Sequence, residues 1–101
     1  MNNLIIYELN EVPEKLLKKY IKDRPHSNFA KLYKSGIFKI TTTNDDGELH
    51  PWSTWPSLHR GVPNFVHKIR YLNQDLKFAN QKFPPFWVTL TSAGIDIGIF
   101  G

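Results

Sequence analysis

Two places in this 101-residue chain hold side chains whose type and spacing suit chemistry. Glu8 and Asn10 follow directly on the apolar run Leu4-Ile5-Ile6-Tyr7. If that run is a strand, they stand at its carboxyl end, where open parallel sheets gather their ligands. A carboxylate there offers oxygen to a divalent cation such as Mg²⁺, Mn²⁺ or Zn²⁺; it can equally do no more than face the next helix N-terminus. The second place is Pro51-Trp52-Ser53-Thr54-Trp55-Pro56-Ser57-Leu58-His59-Arg60-Gly61. A hydroxyl just before a helix start lies near open backbone N–H groups and the positive end of the dipole, which favours a phosphate. A metal can ionise the Thr54 hydroxyl into a nucleophile. The same residues also read as a helix cap by Ser53, Thr54 or Ser57, with the tryptophans packing a loop.

The histidines are poorer candidates. His26, His50, His59 and His67 form no i, i+4 pair of the zinc-helix kind. His67 reads as a structural hydrogen-bonding residue, and His50 is close enough in sequence to approach the Thr54 segment. Arg60, Lys68 and Arg70, interleaved with Trp55, Phe65 and Tyr71, resemble a basic-aromatic surface for single-stranded nucleic acid. No RRM, KH or helix-turn-helix signature accompanies them, which argues against nucleic acid as the partner.

The elements that must position these groups follow from periodicity. Leu4–Tyr7 suits a strand buried on both faces. Pro13 opens a helix in which Leu16, Leu17, Tyr20 and Ile21 share one side and Lys15, Lys18, Lys19 and Lys22 the other. A short helix is expected over Asn28 to Ser35, stopped by Gly36. Ile37 to Thr43 is β-branched and predicts a second strand, followed by turn chemistry at Asn44-Asp45-Asp46-Gly47. A further short helix is expected to begin near Ser57, and residues 64 to 82 read mostly as loop. Pro84 and Pro85 open another helix through Ala93, Gly94 stops it, and Ile95 to Gly101 begins a third strand. The fold expected is α/β, a mainly parallel sheet flanked by helices, with Leu4–Tyr7 and Ile95–Phe100 running parallel.

Composition narrows the field. Net charge is +4, from 13 Lys+Arg against 9 Asp+Glu, which favours anionic partners. Fourteen per cent aromatic residues argue against long disorder. There is no cysteine, which excludes a disulfide framework, a thiolate metal site and a thiol nucleophile. The apolar runs are too short to span a membrane, so no membrane role is expected. The opening Met1-Asn2-Asn3-Leu4 lacks the basic region and long apolar core of a signal peptide, which makes the cytoplasm the expected compartment.

Five pieces in order resemble the N-terminal part of the alkaline phosphatase superfamily, in particular its type I phosphodiesterase/nucleotide pyrophosphatase-like members. They are Leu4 to Glu11; Ser27 to Gly36; Trp52-Ser53-Thr54-Trp55-Pro56-Ser57; Gly61-Val62-Pro63 with His67; and Ala93-Gly94-Ile95 leading to Gly98. The resemblance implies an alkaline-phosphatase-like α/β fold and a metal-dependent hydrolase of phosphoric or sulfuric esters. It implies Thr54 as nucleophile, Glu8 as a carboxylate ligand of divalent metal ions that Thr54 also touches, and Asn73 as a contact to the ester oxygens. Further Asp and His ligands would then lie beyond Gly101. Residues 1–101 are accordingly expected to be a single domain, the N-terminal fragment of a larger hydrolase domain. The alternative is a non-catalytic, truncated or degenerate homologue that binds an anion or a partner. A sheet cut at Gly101 would expose an edge, and self-association through that edge is expected.

Overall fold

Helices carry all of the regular structure in the computed structural model, which describes residues 3–101. The expected α/β fold is thereby overturned: no strand and no sheet is found among the described residues. Leu4–Tyr7, Ile37–Thr43 and Ile95–Phe100 run as irregular backbone, so the parallel pairing expected of the first and last does not occur. Their apolar side chains face solvent, with Ile5 and Ile37 each 88% exposed. The physical reason is the source of the hydrogen bonds. A helix satisfies its backbone from within the same segment, whereas a strand needs a neighbour about 4.8 Å away. A strand-like pattern gains nothing until that neighbour is in place.

The chain gathers into two units, Met1–Thr41 and Thr42–Gly101. In the first, α1 (Glu14–Asp23) and α2 (Asn28–Ser35) fall where periodicity places them. Pro13 stands immediately before α1, where its fixed φ of −66° and missing N–H cost nothing. Glu14 pairs with Lys18 and Lys19 with Asp23, each one turn apart on the exposed side. Hydrogen bonding to the Glu14 carboxylate, and then its charge, raise the Lys18 pKa. Ser27 caps α2 by accepting from the Ala30 N–H at 3.2 Å. Ala30 is completely buried, and the Tyr20 ring meets the edge of Phe29 at 6.1 Å between centroids. Gly36 follows α2, and a Cβ there would meet the Leu32 carbonyl oxygen at 3.0 Å, which favours glycine at this position.

In the second unit, α3 (Pro51–Arg60) begins six residues earlier than the expected start at Ser57. Pro51 occupies its first turn and Pro56 its interior. An interior proline ordinarily breaks a helix, but here it removes only the bond that would run to the Trp52 carbonyl, near the helix start. Gly61 closes α3 in the left-handed conformation, at φ 68°. Residues 64–82, expected as loop, contain α4 (Asn64–His67) and α5 (Lys77–Lys82). Pro85 then precedes α6 (Phe86–Ser92), and Gly94 turns the chain at φ 77°. The interior of this unit is unusually polar. Ser53, Asn64 and His67 are its largest fully buried side chains, alongside the buried Ile69 and Ala79. No helix among the described residues is long and apolar enough to cross a membrane.

Candidate functional site

The candidate site is the hydroxyl-rich α3 and what it faces. Successive helical residues turn by about 100°, so Ser53 and Ser57, four apart, share a face and Thr54 lies beside it. Both serines point into the polar interior. The Ser53 hydroxyl donates to the Ile69 carbonyl at 3.1 Å and accepts from the Asn64 side-chain amide at 3.2 Å. Asn64 clasps the Asp46 backbone, with its Nδ2 donating to the Asp46 carbonyl at 2.9 Å and its Oδ1 accepting from the Asp46 N–H at 3.1 Å. Arg70 donates to the same Asp46 carbonyl at 3.0 Å and pairs with the Asp46 carboxylate. The turn at residues 45–47 is thus held to α3 and α4 by side chains rather than by a strand ladder.

Ser57 has a histidine and an aspartate beside it. Its oxygen lies 2.9 Å from His67 Nε2 and 2.8 Å from Asp45 Oδ1. The residue types are those of a hydrolytic triad, but the connections are not. A triad requires the aspartate on the far ring nitrogen and a lone pair of the near one facing the hydroxyl. Here His67 Nδ1 accepts the Ile69 backbone N–H at 2.9 Å, so the neutral ring carries its hydrogen on Nε2. That hydrogen donates to Ser57, and the Ser57 hydroxyl donates onward to Asp45. Asp45 Oδ1 also accepts the Asn64 N–H at 2.7 Å. With Nδ1 accepting and Nε2 protonated, His67 offers Ser57 no lone pair to take its proton. Burial lowers the His67 pKa, and the Arg60 and Arg70 charges reinforce this against the opposing pull of Asp45. Near neutral pH this favours the uncharged ring, and the network is structural.

Thr54 is the fourth residue of α3 and not the residue preceding it. Its hydroxyl donates to the His50 carbonyl at 3.1 Å, and the same oxygen accepts the Ser53 and Thr54 backbone N–H groups at 2.9 Å. The open N–H cradle expected at Thr54 is therefore corrected: those donors are already engaged. Thr54 remains half-buried, on a different line of the helix from the two serines. His50 immediately precedes α3, with its ring 2.9 Å from Glu48 and stacked on Trp52 at 4.4 Å.

Glu8 lies exposed in irregular backbone of the first unit, while Thr54 and Asn73 belong to the second. Asn73 sits exposed in a turn at φ 65°, which its short polar side chain tolerates. The adjacent Gln74 organises that turn, accepting from the Arg70 and Tyr71 N–H groups and donating to the Lys68 carbonyl. Among the described residues no three His, Cys, Asp or Glu side chains converge as a metal site requires, so the expected metal-binding character is corrected. Sequence reasoning missed Asp45 and Asn64. The acidic turn before Gly47 was their only local signal, because their partners lie 11 to 19 residues away. No protein-family model, curated protein or solved structure matches this chain.

Proposed function

We propose that this chain supplies the nucleophile of a phosphoric- or sulfuric-ester hydrolase, with Thr54 as the attacking hydroxyl. One observation carries the reading. Of the three hydroxyls in Trp52-Ser53-Thr54-Trp55-Pro56-Ser57, two are committed to the buried network, and Thr54 is the one displaced from it. In the proposed step the Thr54 oxygen bonds to phosphorus or sulfur, and the ester oxygen leaves as an alcohol carrying a proton. Water then cleaves the covalent intermediate and restores the hydroxyl. Asp45 and His67 are turned to Ser57, so the base that takes the Thr54 proton lies outside this network. The described residues do not form a metal site.

The test is covalent capture. The chain is mixed with p-nitrophenyl phosphate or p-nitrophenyl sulfate, with and without Zn²⁺, Mn²⁺ or Mg²⁺, then quenched in acid and mapped by mass. One phosphoryl or sulfuryl group on Thr54, lost in Thr54→Val, is the expected result. Absence of that adduct under every condition, or a turnover indifferent to Thr54→Val, would overturn the reading.

A second reading, a non-catalytic binding module, is favoured by a separate observation. Ile5, Ile37 and Ile99 are 88%, 88% and 69% exposed, in three segments with strand-like patterns. Such segments fit pairing with another polypeptide, a second copy included. Sedimentation should show concentration-dependent association that Ile37→Asp and Ile99→Asp together abolish. A monomer at all concentrations would remove self-association.

A further inference from the structure

We propose that His67 is an acid-opened latch that ties the segment after α4 to α3 only while its ring is neutral. The inference rests on ring geometry and stands apart from the hydrolase reading. His67 is fully buried, and both ring nitrogens have assigned partners. Nδ1 receives the Ile69 N–H at 2.9 Å, and Nε2 gives its hydrogen to Ser57 at 2.9 Å. A second proton has only Nδ1 to occupy. There it points at the Ile69 N–H, donor against donor, and both groups are shut away from water. Two buried donors facing each other leave both unsatisfied, so the protonated ring and Ile69 separate.

Ile69 is where that separation propagates. Its carbonyl accepts the Ser53 hydroxyl at 3.1 Å, and the next carbonyl, that of Arg70, accepts the Trp52 indole N–H at 3.2 Å. Both are bonds from α3 to the segment following α4. Moving Ile69 off His67 therefore loosens the side of α3 that carries Trp52 and Ser53. Three charged groups decide how readily the proton arrives. Asp45, from the turn before α3, favours it, and its Oδ2 is buried without a hydrogen-bond partner. Arg60 at the end of α3 and Arg70 beyond α4 oppose it. With desolvation added, the neutral ring prevails near neutrality, and acid reverses the balance.

The experiment is NMR on the full chain. Ring ¹⁵N shifts should show His67 neutral with its hydrogen on Nε2. The opening constant of the Ile69 amide, from hydrogen exchange corrected for intrinsic rate, should grow up to about tenfold per pH unit below roughly 6.5. The Ala30 amide in the first unit should not follow it. In His67→Asn the side-chain oxygen can still accept the Ile69 N–H without titrating, and the growth should vanish. A hydrogen on Nδ1, or a ring that titrates while Ile69 opening stays flat, would overturn the proposal, as would an unchanged pH slope in His67→Asn. Should that variant fail to fold, the wild-type tautomer and slope still decide the matter.

Discussion

The Arg60 guanidinium donates to the Phe83 carbonyl at 2.6 Å, joining the last residue of α3 to the residue that closes α5. It also reaches the Ala79 carbonyl at 3.2 Å and the Asn80 side chain at 2.8 Å. A cation at these carbonyls meets the negative end of the α5 dipole. Burial lowers its pKa, but a guanidinium remains charged at any ordinary pH.

Arg60→Ala should therefore destabilise the second unit by about 1.5–3 kcal/mol, the range for hydrogen bonds from a charged donor. Arg60→Lys should recover only part, because one ammonium cannot reproduce the planar fork that spans three acceptors. Urea titration of each variant, following the Ala79 amide by NMR, measures both. Equal stability of all three chains would show that the contact contributes nothing.

The two neighbouring hydroxyls of α3 should behave oppositely. Ser53→Ala strands the Asn64 amide hydrogen and the Ile69 carbonyl in the interior, a loss of about 1–3 kcal/mol. Thr54→Ala gives up one bond to a carbonyl already served twice and gains helix propensity, so its net effect should stay within about 0.5 kcal/mol. Thermal melts of the two variants side by side make the comparison. A large loss from Thr54→Ala would move Thr54 into the structural network.

Gly61 ends α3 at φ 68°, with open space around the missing Cβ. Nothing would clash, so the cost of a side chain there is conformational alone. Gly61→Ala should cost about 1–2 kcal/mol, and Gly61→Asn less, because asparagine visits the left-handed region more readily. The ordering of their melting temperatures is the observable. Alanine equal to glycine would show that the turn relaxes.

Stability of the second unit should fall in mild acid. His67 is held below its ordinary pKa by burial, so the unfolded chain binds the proton more readily than the folded one. The contribution is fully present above about pH 6.5 and is lost progressively as pH falls from there toward the folded pKa. Urea midpoints compared between about pH 8 and pH 5 should show this decline, and His67→Asn should flatten that part of it. A midpoint that rises on acidification would contradict the sign.

The helices were legible where one local signal sufficed. Leu16, Leu17, Tyr20 and Ile21 announce α1, and Gly36 marks the end of α2. Pro56 obscured the start of α3, because proline is ordinarily a stop and its tolerance near a helix start depends on context. α4 and α5 are short and depend on contacts made far along the chain: Asn64 with Asp45 and Asp46, and Arg60 with Ala79 and Phe83. The members of each pair lie 18 to 23 residues apart, beyond the reach of local periodicity. The strand patterns were present in the residues, but a pattern of apolar side chains cannot reveal whether a neighbouring segment pairs with it. Within the site, His67 as a structural hydrogen bonder could be read from its type and setting. The division of labour among Ser53, Thr54 and Ser57 needed the register of α3.

The stacking of Trp52 on His50 and of Trp55 on His59 has an optical consequence. With Trp87 these are the three tryptophans of the chain, and all lie within Thr42–Gly101. Met1–Thr41 contains tyrosines but no indole. Light absorbed at the red edge of the aromatic band therefore excites the second unit alone. Loss of its imidazole-stacked indoles changes the emission, while the melting of α1 and α2 passes without any intrinsic fluorescence signal of its own at that wavelength.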